Sequence, residues 1–130
     1  MTRIHLALLL AVGWLAPVRA WAGEAEAQAA FSSGVALMDR HQYGDAIVQL
    51  KQAEAAFPTA PPLLWNLGLA SVEVGNHRAA LAYWRRYQKA QPEDWKALPK
   101  IIQAHQALGD KRARDRAIKE LYALHVRAPD

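Results

Sequence analysis

The chain has 130 residues, a formal net charge of +4, 52% hydrophobic residues and no cysteine. That length fits one small domain, and the lack of cysteine excludes disulfides, thiolate metal sites, cysteine nucleophiles and thiol lipidation. A charge balance so close to neutral gives no reason to expect a nucleic-acid partner.

The N-terminus reads Met1-Thr2-Arg3-Ile4-His5, then runs from Leu6 to Ala16 without a polar side chain, turns at Pro17 and closes on Ala20-Trp21-Ala22. A basic start, a short apolar stretch and a small-x-small site predict a secretory signal peptide over residues 1–22, cleaved after Ala22. The apolar run is too short to span a bilayer. An exported domain of residues 23–130 follows, destined for a periplasm or for secretion, with membrane contact at most peripheral. Loss of Arg3 and Arg19 with the leader brings its charge to about +2. The charge is unevenly spread: residues 24–51 are mostly acidic, whereas residues 78–119 hold eleven Lys or Arg against four Asp or Glu.

Apolar periodicity predicts helices over residues 24–40, 43–57, 62–74, 77–91, 98–108 and 110–125. Leu63, Leu64, Leu67, Ala70 and Val74 recur at helical spacing, and Gly75-Asn76 supplies a helix stop and the next N-cap. Ala79, Ala80, Tyr83, Trp84 and Tyr87 then form an apolar face opposite Arg78, Arg85, Arg86 and Lys89. Pro99 fits the first position of the fifth helix, which makes the connection from Pro92 to Ala97 a long one. Gly68 stands inside an otherwise apolar helix, where glycine costs about 1 kcal/mol against alanine. Such a position implies the close approach of a neighbouring helix.

A step of 34 residues relates Gly34 to Gly68, Ala36 to Ala70, Ala46 to Ala80 and Pro58 to Pro92. A further step takes Leu67 to Ile101, Ala70 to Ala104, Gly75 to Gly109 and Trp84 to Ile118. This pattern resembles the tetratricopeptide repeat family, whose period is 34 residues. The resemblance is carried by Gly34, Ala36, Ala46, Leu50, Ala53 and Pro58 in a first unit and by Leu67, Gly68, Ala70, Gly75, Ala80, Trp84 and Pro92 in a second. It implies an all-α fold: a right-handed solenoid of about three helix-turn-helix units over residues 27–60, 61–94 and 95–125. The third is degenerate, with Ile102 in place of the first-helix glycine and Arg114 in place of the second-helix alanine, unless the register slips by one to Ala113.

No catalytic constellation is present in the sequence, and no cofactor or metal is expected. His41, His77, His105 and His125 lack metal-ligand spacing and read as surface or groove residues. Ser32, Ser33 and Ser71 have no nucleophile-elbow glycines around them. Glu93-Asp94 reads as a helix cap. The resemblance implies instead an adaptor that binds a protein or peptide in a concave groove. By position, the groove is lined by Phe31, Ser32, Val35, Trp65, Asn66, Leu69, Lys96, Lys100 and Gln103. Trp65 is the leading anchor, since aromatic residues with a large apolar face and one donor are favoured at interface hot spots. Some members of the family clamp a peptide's terminal carboxylate; Asn66, Lys96 and Lys100 fall at matching places, whereas Phe31 and Val35 replace the first-unit lysine and asparagine. An alternative is a basic surface of Arg85, Arg86, Lys89, Arg112 and Arg116 that binds an anionic membrane surface or envelope polymer. In the last helix, however, Lys111 with Asp115, Asp115 with Lys119 and Arg116 with Glu120 have the spacing of intrahelical pairs on a solvated cap. A further alternative is a self-associating structural subunit, because three units make a thin core with exposed ends.

Overall fold

The computed structural model describes the backbone of residues 15–127 and the side chains of residues 23–125. Six α-helices and no strands occur among the described residues: α1 (Leu15–Asp39), α2 (Tyr43–Ala56), α3 (Pro61–Glu73), α4 (His77–Ala90), α5 (Ala97–Ala107) and α6 (Lys111–Arg127). Five of the helices start within a residue or so of the expected positions. The exception, α1, begins nine residues before residue 24 and includes Pro17 in its first turn, where the missing N–H removes no intrahelical bond. The first fourteen residues of the expected leader lie outside the described residues. No helix among those described is long and apolar enough to cross a membrane.

The helices pack as antiparallel pairs, α1 on α2, α3 on α4 and α5 on α6. Successive pairs join through α2 on α3 and α4 on α5, so a second helix always receives the first helix of the next unit. The result is a helical solenoid of three units. The backbones of α3 and α5 stay apart, bridged by α4, and the furrow between these first helices is lined by side chains of all three.

Within each unit the spacing between helices depends on one pair of side-chain positions. A Cβ built on Gly68 would meet the indole of Trp84, with Nε1 nearest and Cε2 at 2.7 Å. One period earlier, a Cβ on Gly34 would meet the Cδ2 of Leu50 at 2.7 Å. The interior glycine is therefore the floor on which a large second-helix residue sits, and Trp84 and Leu50 are among the largest fully buried side chains. In the third unit this arrangement changes. Ile102 holds the glycine place, and the fully buried residue of α6 is Ala117, with Ala113 buried a turn before it. Arg114 and Ile118 are only half-buried. The register thus slips by one, and the expected correspondence of Trp84 with Ile118 is replaced by one with Ala117. The physical reason is volume: a branched side chain on α5 is accommodated by a small one on α6.

The turns keep the period more strictly. His41, Gly75 and Gly109 all have positive φ, at 58°, 78° and 72°. Asn76 Oδ1 accepts the N–H of Ala79 at 3.0 Å, and Asp110 Oδ1 accepts that of Ala113 at 3.0 Å, capping α4 and α6. Pro99 stands third in α5, one turn inside its start, where its missing N–H again removes no helical bond. The connection before it, residues 91–96, is two residues longer than the one between α2 and α3. Asp94 does not cap α5: its Oδ1 accepts the N–H of Lys96 at 2.9 Å and its Oδ2 accepts the hydroxyl of Tyr87 at 2.6 Å, fixing the turn ahead of the helix.

His105 departs from its expected surface or groove position. It is 7% exposed on α5, and neither ring nitrogen has a hydrogen-bond partner. Burial lowers its pKa below the usual 6.5, Arg85 and Arg116 add to that, and Asp110 and Glu120 oppose it.

Two expectations follow for stability. Gly68→Ala should lower the unfolding free energy in urea by about 1–3 kcal/mol. The loss should exceed that of Gly34→Ala, whose new methyl meets the flexible end of Leu50, and part of it should be recovered when Trp84→Phe is added to Gly68→Ala. The neutral form of His105 is favoured by folding, so its contribution is present above about pH 6.5 and is lost as pH falls, by at most about 1.4 kcal/mol per pH unit. Thermal unfolding between about pH 7.5 and 5 should show this slope, and His105→Leu should flatten it.

Candidate partner-binding groove

The residues expected to line a groove lie on α1, on α3 and on or just before α5, and most of them open onto three depressions. Between α1 and α3, a depression of about 190 Å³ is lined by Gln28, Phe31, Phe57, Ala60, Pro62 and Leu63, with Ala53 at its base. Where α3 begins and α5 approaches, one of about 410 Å³ is lined by Pro61, Pro62, Trp65, Asn66, Tyr87 and Lys96. Between α3 and α5, a third of about 190 Å³ is lined by Leu69, Val72, Glu73, His77, Trp84, Lys100, Gln103 and Ala104. Seven of the nine expected residues thus line one of the three. Ser32 and Val35 do not, Ser32 being exposed and Val35 half-buried on α1.

Trp65 has both an anchored and an open side. Its ring lies 5.3 Å from that of Tyr87, tilted by 56°, and part of it packs on the core formed with α5. The remainder is accessible in the 410 Å³ depression. Tyr87 is itself held by its bond to Asp94, which, with burial, raises its pKa to about 12. The phenol therefore stays protonated and donating at any ordinary pH. Burial alone would raise the carboxyl of Asp94, but the bonds from Tyr87 and from the Lys96 N–H, together with the Lys96 charge, keep it below the usual carboxylate range. Asn66 donates from Nδ2 to the carbonyl of Pro62 at 2.8 Å, which fixes its amide along α3 and leaves its oxygen free of that bond.

The three carboxylate-clamp positions do not line one depression. Asn66 and Lys96 share the 410 Å³ depression, and Lys100 belongs to the one between α3 and α5. Lys96 also lies beside the negative Asp94. His77, expected at the surface or in a groove, lines the face, and so do Tyr87, Pro61, Pro62, Phe57 and Glu73, which the sequence does not mark for it. Tyr87 belongs to the second-helix apolar stripe, and only the packing of α4 beneath α3 brings its ring to Trp65.

The basic surface is partly committed elsewhere. Arg86 reaches back to α2, donating to Glu54 Oε1 at 2.5 Å and to the Pro58 carbonyl at 2.6 Å, with its guanidinium 5.5 Å from the centre of the Tyr83 ring. Arg85 reaches forward to α6, donating to Glu120 Oε2 at 3.1 Å and to Gln88 Oε1 at 2.9 Å. Lys89, Arg112 and Arg116 remain exposed. The intrahelical pairs expected on α6 give way to others: Glu120 is engaged by Arg85 of α4, and Asp115 by Arg114 at 2.8 Å. No group of three His, Asp or Glu side chains among the described residues comes together as a metal site.

No protein-family model matches the chain, and no curated protein sequence does either. Solved structures do. A crystal structure of MamA superposes with a TM-score of 0.72 at 20% identity, over 78% of this chain and 60% of that one, so the chain spans about three fifths of that protein's length. The first tetratricopeptide repeat domain of Spaghetti (RPAP3), bound to the HSP90 peptide SRMEEVD, gives 0.68 at 17% identity over 81% of this chain and 83% of that one. The Sgt2 tetratricopeptide repeat domain from Aspergillus fumigatus gives 0.66 at 24% identity over 81% and 70%. Together with the three stacked helix pairs and the 34-residue step, these likenesses show that the chain has the tetratricopeptide-repeat fold.

Proposed function

We propose that this protein is a non-catalytic adaptor that holds an extended segment of a partner protein along the face shared by α1, α3 and α5. The observation that carries this reading is Trp65: a half-buried indole, braced by Tyr87, opening into a depression of about 410 Å³ beside Asn66 and Lys96. A braced aromatic ring gives a partner apolar contact without losing rotamer freedom on binding, and such residues carry most of an interface's energy. A solved domain of the same fold holds a peptide, SRMEEVD in the Spaghetti domain, which supports a peptide partner here. Phe31 and Leu69 add apolar contact in the flanking depressions, and Asn66, Lys96, Lys100 and Gln103 set the orientation of the bound segment. The leader expected over residues 1–22 supports an exported adaptor whose partner lies in a periplasm or outside the cell.

The anion-binding alternative is weakened because Arg85 and Arg86, two of its five cations, tie the units together. Affinity capture from an envelope extract separates the two readings. With the adaptor, a partner is retained at high salt and its affinity falls at least tenfold in Trp65→Ala. Capture that survives Trp65→Ala but washes off with salt transfers the function to the basic helices.

A further inference from the structure

Inside the chain every junction between units is the same: the second helix of one unit receives the first helix of the next, as α2 receives α3 and α4 receives α5. Two halves of that junction are left over. Among the described helices, α6 packs on α5 and is tied to α4 through Glu120 and Arg85, and α1 packs on α2 and along its edge on α3. The two leftover surfaces differ in shape and in charge.

At the α1 end there is a notch of about 640 Å³ with a floor of alanines, among them Ala27, Ala30 and Ala55, and a rim that includes Glu24 and Glu26. It opens away from α3, because α2 turns Ala53 and Phe57 towards α3 and the exposed Ala55 towards the notch. At the other end, α6 buries Ala113 and Ala117 against α5 and exposes Arg112, Arg116 and Lys119. Tyr122, one turn beyond Lys119, is 68% exposed, the most accessible large hydrophobic side chain among the described residues. Residues 23–60 carry five acidic and two basic side chains, whereas residues 95–130 carry eight basic and four acidic ones. The rod is therefore negative at one end and positive at the other.

We propose that the protein associates head to tail with a second copy of itself, the basic outer face of α6 seating on the acidic notch between α1 and α2 of the next copy. The contact repeats the junction already used inside the chain, with Tyr122 directed at the alanine floor and Arg112, Arg116 and Lys119 facing Glu24 and Glu26. Such an interface is heterologous: each assembly keeps one free end of each kind, and growth proceeds by addition of further copies. It leaves the groove side of α3 and α5 open and stands independently of the adaptor reading.

Sedimentation velocity on the purified protein over a concentration series tests it. At about 10 mM salt, where charges act over about 30 Å, the weight-average mass should climb above that of a single chain, and at about 1 M salt, where the range is about 3 Å, it should return to it. Reversing the tail, Arg112→Glu with Arg116→Glu and Lys119→Glu, should give a monomer, and so should reversing the head, Glu24→Lys with Glu26→Lys. An equimolar mixture of the two reversed proteins should associate again, since each then offers the other a complementary end. All five substitutions are at exposed positions, and circular dichroism checks that the helices persist. A chain that is monomeric at every concentration and low salt overturns the proposal. So does association that survives tail reversal, or a mixture that stays monomeric.

Discussion

The seating of Trp84 on the bare backbone of α3 at Gly68 is the contact on which the rest of the structure depends. An indole fills this space only because the facing residue has no side chain, and the separation of α3 from α4 is fixed by its thickness. The same ring belongs to the core made with Ala97, Leu98 and Ile101 of α5, so one side chain joins the helices of its own unit and also fastens the next. It lines the depression between α3 and α5 as well, and so forms part of the groove wall. Its Nε1 is buried without a partner, an arrangement that costs about 1–3 kcal/mol and is offset by the many close contacts of a fully enclosed indole. The first unit uses the same floor at Gly34 beneath the smaller Leu50, whereas the third has Ile102 at the glycine place and a buried Ala117 on α6.

The polar ties between units lie on the side of the second helices. Arg86 joins α4 to α2, and Arg85 joins α4 to α6. Partly exposed pairs of this kind contribute about 1 kcal/mol or less each. Their effect is geometric: they fix how far one pair rotates against the next. Because the backbones of α3 and α5 stay apart, that rotation bears on the width of the furrow on the opposite face. Only at the start of α5 does a tie reach the groove side, where Tyr87 and Asp94 fix the turn that carries Lys96.

The fold was legible in the sequence because its main determinants are local or periodic. Gly75-Asn76 and Gly109-Asp110 announce their turns, the 34-residue step announces the units, and the cost of an interior Gly68 implies a close neighbour. What stayed hidden depends on which residues meet across units. Arg85 and Arg86 are indistinguishable from Lys89 by type and spacing, yet only the first two find carboxylates on neighbouring helices. His105 has the residue type of a surface position, yet it stands seven residues after Leu98 and four after Ile101 on the buried face of α5. The residues that the sequence assigns to a groove border the three depressions to the extent that they lie on first helices; Tyr87 joins them only through packing, because nothing in α4 alone shows its ring meeting Trp65. The register of the third unit was left open between Arg114 and Ala113, and the packing of α6 selects Ala113.

The frames of the turns and of the packing differ in how strictly they are kept, and the difference has a physical origin. A chain reversal between helices needs a residue with positive φ at a fixed place, so His41, Gly75 and Gly109 remain 34 apart even though a histidine in that conformation costs roughly 1–2 kcal/mol. The first turn also lacks a side-chain cap at Gln42, where the second and third have Asn76 and Asp110. Its geometry therefore relies on the packing of α1 along α2 and on the local bond between His41 Nδ1 and the Tyr43 hydroxyl at 2.7 Å. Side-chain volume, by contrast, can be exchanged between facing positions so long as the total is kept. The third unit uses that freedom, and its helix can then rotate by one residue without disturbing the turn that precedes it. That rotation buries Ala113 and Ala117 and leaves Arg112, Arg116 and Lys119 outward, so the charge of the terminal face follows from a volume exchange made inside the core.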